Sequence, residues 1–197
     1  MHLLCLGDSI CYGDGVHPDQ AWVSLLAAEL AQRHPAVRVH NAGVNGETVQ
    51  GGLWRLSECL VPLVPDLLYV QFGLNDAWIN ICSAEEYTDM MWEIVFRALE
   101  SGVRAVVVGT NHPVWAGQDV YGAADYPQRV RHFNASLRSR FALAPERVSL
   151  ADAEAHWDGL GSREALVPLL QADGVHLSSQ GNRVYANFLL PVFEWSL

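Results

Sequence analysis

Apolar and polar positions alternate between two rhythms along the chain. Leu3-Leu4-Cys5-Leu6 is a continuous apolar run that reads as a buried strand, ended abruptly by Gly7-Asp8-Ser9-Ile10. Past the turn Tyr12-Gly13-Asp14-Gly15, residues 20–32 carry Trp22, Leu25, Leu26 and Leu30 at helical spacing, and His34-Pro35 ends that helix. Residues 37–40 alternate as a strand, and 41–48 read as a loop. Val49, Leu53, Leu56 and Leu60 restore the helical period until Pro62 and Pro65 stop it. A strand over 66–72 delivers the chain into Gly73-Leu74-Asn75-Asp76. Ser83, with Glu86 three residues later, has the form of a capping box and opens a helix that runs to Gly102. Residues 103–108 are the most β-branched run, which predicts a central strand buried on both faces. A loop over 110–122, a helix over 126–143 and a short strand over 147–150 follow. An irregular stretch over 151–172 then leads through Asp173-Gly174-Val175-His176 into a last helix over 179–195.

Strand and helix thus alternate five times, with no internal repeat, low-complexity tract or linker, so residues 1–197 read as one α/β domain. Alternation of this kind predicts a parallel five-stranded sheet between two helical layers, a three-layer αβα sandwich with right-handed crossovers. Five strands beginning with the run over 3–6 suit the flavodoxin-like order 2-1-3-4-5. In that order the loops after Leu6, His40, Phe72 and Val108 leave along one carboxyl edge. Ser9, Gly46 and Asn75 follow three different strands, yet the topology sets them side by side.

Composition narrows the function classes. Half of the 197 residues are hydrophobic and only 17% are charged, which supports a sizeable core and excludes global disorder. Twelve basic against twenty-two acidic residues give a net charge of -10, which argues against nucleic acid as a partner. Cys5, Cys11, Cys59 and Cys82 show neither a C-x-x-C pair nor zinc-like spacing. Reduced thiols, and a first strand that begins almost at Met1 with no leader, point to the cytoplasm. No apolar run reaches membrane-spanning length.

The carboxyl edge carries the candidate chemistry. Serine hydrolysis needs a hydroxyl, a base, an orienting carboxylate and donors for the oxyanion. Ser9 supplies the hydroxyl and His176 the base, a contribution of about 10²–10⁴ in rate. Asp173 stands three residues before His176, close enough to curl back onto the imidazole. The backbone N–H groups of Ser9 and Gly46 and the side-chain amide of Asn75 are the available oxyanion donors. Each feature also has an ordinary meaning. Asp8-Ser9 and Asn75-Asp76 can be helix caps, and Gly46 and Asp173-Gly174 can be turns. All of them together, each directly after a strand or before the last helix, are hard to explain as turns.

Rival motifs fail. Gly7-Asp8-Ser9-Ile10-Cys11 departs from G-x-S-x-G at its last position. Gly46 to Gly52 is followed by no Gly-Lys-Ser/Thr. Asp152, Glu154, His156 and Asp158 alternate acid with histidine, but no second histidine stands at ligand spacing, so a solvated loop is the plainer reading.

Gly7-Asp8-Ser9-Ile10, Asn41 through Gly46-Glu47-Thr48, Gly73-Leu74-Asn75-Asp76 and Asp173-Gly174-Val175-His176 resemble the four blocks of the SGNH (GDSL) hydrolases, in order and across nearly the whole chain. In size and spacing the chain is similar to the small bacterial thioesterase/lysophospholipases and arylesterases of that family. The resemblance implies the SGNH hydrolase fold, Ser9 as nucleophile, Asp173 and His176 completing a triad, and Gly46 and Asn75 as oxyanion donors. Gly43 is a second glycine in the same loop; Gly46 is preferred because it directly precedes the acidic-Thr pair. The implied enzyme acts on a small-molecule ester, thioester or acetylated sugar and uses no metal or organic cofactor. Candidate substrate walls are Tyr12, Leu74, Trp78, His112 and Trp115, which follow strand ends on the reactive edge; ordinary packing is the alternative for each. An acyltransferase, or a non-catalytic sugar- or lipid-binding module with loop tryptophans as its platform, is the competing class.

Overall fold

The computed structural model describes residues 1–115 and 124–196. Five strands, β1 (His2–Gly7), β2 (Arg38–Gly43), β3 (Leu67–Gln71), β4 (Ala105–Gly109) and β5 (Val148–Ala151), form one sheet in the order β2-β1-β3-β4-β5. Every pairing is parallel, with Leu4 opposite both His40 and Leu68. The expected order is therefore the observed one. The apolar runs of β1, β3 and β4 are buried on both faces because helices cover both.

In one helical layer α2 (Trp22–Arg33) packs on α9 (Ser179–Ser196); in the other α3 (Val49–Leu63) packs on α5 (Ala84–Glu100), and α5 on α6 (Tyr126–Phe141). Trp22, Tyr69, Tyr185 and Phe193 form a fully buried aromatic cluster between β3 and the first pair. The hydroxyls of Tyr69 and Tyr185 hydrogen-bond to each other at 2.8 Å, so neither is orphaned in the core. On the opposite face Tyr87 stacks on Phe133 and donates to the Phe72 carbonyl. Ser83 and Glu86 form the expected capping box at the start of α5.

Several boundaries differ from expectation. Strand β2 runs on to Gly43 rather than ending at His40, because Asn41, Ala42 and Gly43 pair with Cys5, Leu6 and Gly7. A Cβ at position 43 would collide with the backbone of Cys11 and Tyr12, so glycine is what lets β2 close against the segment after Ser9. Helix α3 passes through Pro62 to Leu63. Proline there removes one donor in an exposed last turn, and Val64 ends the helix in the left-handed conformation, donating to the Leu60 carbonyl. The 151–172 stretch is not irregular: it holds α7 (Ala153–Asp158), α8 (Arg163–Leu166) and a 3₁₀ turn (Val167–Leu169). The block at Gly73 opens another short helix, α4 (Leu74–Ile79). The 110–122 loop leaves Gly109 as expected, but its residues 116–122 lie outside the described residues.

Candidate active site

Strand β1 ends at Gly7, and the chain turns at once into α1 (Ser9–Tyr12). Asp8 makes that turn: it is the N-cap, and its Oδ1 accepts from the Ile10 N–H at 2.9 Å. Ser9 is thereby the first helical residue, at the carboxyl edge of the sheet, with its hydroxyl held in a nearly enclosed position. Burial, reinforced by Asp76, pushes the Asp8 carboxyl up to about 7 against the Ile10 donor, and among the described residues its Oδ2 has no hydrogen-bond partner. Asp8 therefore shapes the turn, as its position suggested.

The chain's other end reaches this hydroxyl. His176 Nε2 lies 2.9 Å from Ser9 Oγ, and His176 Nδ1 lies 2.6 Å from Asp173 Oδ2. Asp173 Oδ1 accepts from the N–H groups of Val175 and His176 at 2.8 and 3.0 Å. Burial raises the Asp173 pKa, but the imidazole and these two amides outweigh it and hold the carboxyl below its ordinary value. The turn is clamped from outside. Gly174 has φ +72°, a Cβ on it would overlap the Trp115 carbonyl, and its own carbonyl accepts from the Trp115 N–H at 2.8 Å. A hydroxyl, an imidazole in line with it and a carboxylate behind the imidazole constitute a proton relay suited to activating a nucleophile.

The loops after β2 and β3 meet beside it. Asn75 Nδ2 donates to the Glu47 carbonyl at 2.9 Å, tying the asparagine to the residue that follows Gly46. Gly46 is exposed at φ +75°, and a Cβ there would meet nothing within 4 Å. Ser9, Gly46 and Asn75 thus follow three strands whose ends lie on one edge, with the Glu47 carbonyl joining the last two.

Residues 5–184 match the GDSL-like lipase/acylhydrolase family. The chain belongs to that family. It is 28% identical to esterase TesA of Pseudomonas aeruginosa over 181 residues, 88% of this chain and 78% of the relative. It is 38% identical to an arylesterase of Vibrio mimicus over 111 residues, 56% of this chain and 55% of that relative. A crystal structure of TesA superposes with a TM-score of 0.80, covering both chains completely at 25% identity. The chain is accordingly an ester hydrolase with the SGNH hydrolase fold.

The candidate walls of this GDSL hydrolase divide. Tyr12 and Trp78 are exposed, and Trp115 is half-buried beneath the Arg163 guanidinium, 5.8 Å from its ring centroid. Leu74 and His112 are buried instead. His112 Nε2 donates to the Val175 carbonyl at 2.8 Å, and its ring lies against Trp157. Burial lowers its pKa to about 4, so the ring is neutral and braces the 173–176 turn from beneath. Asn111 explains why the loop dives inward: its side chain donates to the Phe72 carbonyl and bonds Gln71, while its backbone exchanges two hydrogen bonds with Asn134.

Supporting residues carry no signal in isolation. Arg55 grips both Glu47 oxygens and donates to the Ala42 carbonyl, pinning the loop that contains Gly46. Asp76 accepts from the Val49 N–H, and burial pushes its carboxyl up to about 6. Asn41 donates to the Cys11 carbonyl and accepts from the Gly43 N–H. Asp152 and Glu154 are both engaged by Arg138, and His156 stacks on Phe188, so the acid–histidine alternation belongs to an ion-paired helix rather than a solvated loop. Among the described residues no cluster of histidine, cysteine and acid could hold a metal ion, and no helix is long and apolar enough to cross a membrane.

Proposed function

We propose that this GDSL hydrolase cleaves carboxylic esters through an acyl-enzyme on Ser9. The hydrogen-bond chain from Ser9 Oγ through His176 to Asp173 carries the reading. His176 Nε2 takes the Ser9 proton as Oγ attacks the carbonyl carbon, and Asp173 holds the ring in the tautomer that leaves Nε2 free. The tetrahedral oxyanion is held by the N–H of Ser9, the N–H of Gly46 and Asn75 Nδ2. The Ser9 N–H opens α1 and so has no partner within its helix. His176 then gives its proton to the departing alkoxide or thiolate, and water activated by the same ring releases the acid. Oxygen esters and thioesters follow the same steps, with no metal or organic cofactor. The esterase and arylesterase names of the two relatives agree with this chemistry.

A fluorophosphonate should add once, at Ser9, as read by mass spectrometry of the folded protein. Labelling that misses Ser9 would remove the nucleophile and favour a non-catalytic binding module.

Asn75→Ala should lower kcat by about 10²–10³, the loss typical of one oxyanion donor, with a much smaller change in KM. Asn75 also ties down the Glu47 carbonyl, so a loosened Gly46 loop adds to the same loss. Steady-state kinetics on one ester separates the roles. A raised KM with kcat preserved would make Asn75 a ground-state binding residue.

A further inference from the structure

One charged group at the site lies outside this mechanism. Asp14 Oδ2 lies 3.8 Å from His176 Nε2, the nitrogen that faces Ser9. Asp14 is held there from three sides. Asn45 Nδ2 donates to its Oδ1 at 2.7 Å, its backbone N–H donates to the Ser9 carbonyl at 3.0 Å, and Gln171 Nε2 donates to the Asp14 carbonyl at 2.7 Å. Its carboxylate remains 41% exposed, so it meets whatever enters the mouth of the site. Among the described residues no arginine lies within ion-pair distance of it, and Glu47 nearby is already taken up by Arg55. The chain has no lysine at all.

Position decides what such a charge does. In the proposed reaction the leaving group must accept its proton from Nε2, so the departing atom sits about 3 Å from that nitrogen. Whatever the leaving group carries two or three bonds further on then lies within several ångströms of Asp14. The geometry points to Asp14 as a determinant of leaving-group charge: this hydrolase favours esters of neutral or cationic alcohols and thiols over those whose leaving group bears a phosphate, sulfonate or carboxylate. The inference rests on the reading of Ser9 and His176 given above and narrows its substrate class. Anionic carriers are repelled both by this carboxylate and by the chain's net charge of -10, while a quaternary ammonium or a polyol is accepted. A unit charge about 7 Å from a half-exposed carboxylate, screened nearly as in water, changes kcat/KM by roughly threefold, so opposite charges differ by about tenfold.

The test holds the acyl group and leaving-group shape constant. Butyrate thioesters of thiocholine, of its uncharged tert-butyl isostere and of mercaptoethanesulfonate share a tetrahedral terminal group on a two-carbon arm and differ in its charge, and one thiol reagent reports all three. In the wild type, kcat/KM should fall in that order over about tenfold, and the spread should shrink as salt is added. Asp14→Asn keeps an acceptor for Asn45 and removes the charge. Normalised to its own rate on the neutral ester, it should show a spread of twofold or less. An unchanged spread in Asp14→Asn, or no ordering in a wild type that turns over all three esters, overturns the inference while the Ser9 reading stands. No turnover of any ester, with Ser9 unlabelled by fluorophosphonate, overturns both.

Discussion

Ser9→Ala is expected to lower kcat by about 10⁵–10⁶ while leaving the fold in place. Among the described residues the hydroxyl has one side-chain hydrogen-bond partner, His176 Nε2, so its removal takes away the attacking atom and little else. Helix α1 keeps its start, because the cap comes from Asp8 and the turn closes through backbone bonds of Tyr12 and Gly13 to Asp8 and Ser9. Alanine is also a good helix residue, so the first turn gains rather than loses propensity. An ester assay beside a thermal melt reads both halves of the prediction. Activity above one per cent of wild type, with an unchanged melting temperature, would mean that another group carries the acyl chain.

Asp173→Asn should cost about 10⁴ in kcat, for a reason visible in how the carboxylate is held. Oδ1 accepts from two backbone amides and Oδ2 from the His176 ring. An amide can satisfy the two N–H groups only with its oxygen, which turns its NH₂ toward Nδ1. That nitrogen must then accept, so the proton moves to Nε2, and an Nε2–H cannot take the proton of Ser9. Asp173 itself is held low by its partners, so its contribution to stability is present above the ordinary carboxylate pKa and is lost as pH falls through its lower folded value. Asp8 works in the opposite sense. Its folded pKa is raised to about 7, so its contribution is full below the ordinary carboxylate pKa and fades as pH climbs toward neutrality.

The parts of this picture legible in the sequence are those where residue type and periodicity agree. The apolar runs of β1 and β4 could be read directly, and the βα alternation led to the strand order. Ser9, Asp173 and His176 stood out because a hydroxyl, a carboxylate and an imidazole each occurred where a strand or helix boundary exposes side chains. What escaped was decided by tertiary contact. Asn41, Ala42 and Gly43 have turn-forming character, yet pairing with β1 keeps them in a strand. His112 sits where a wall residue would, but Asn111, bonded to Gln71, Phe72 and Asn134, draws that loop into the interior. The grip of Arg55 on Glu47 joins a loop to a helix two turns on, and nothing local announces it. The short helices between β5 and the last histidine are interrupted by Gly159 and Gly161, so no window there is long enough to show a period.

The bond between Ser9 and His176 joins residues separated by 167 positions, one at the exit of the first strand and one just before the last helix. The last helix is itself tied to the opening of the chain, where Asn182 Oδ1 accepts from the Trp22 N–H. In the proposed mechanism the base therefore depends on more than the sheet. A chain folded only through its five strands holds Ser9 without His176, and the hydroxyl gains its proton acceptor when the segment before α9 docks.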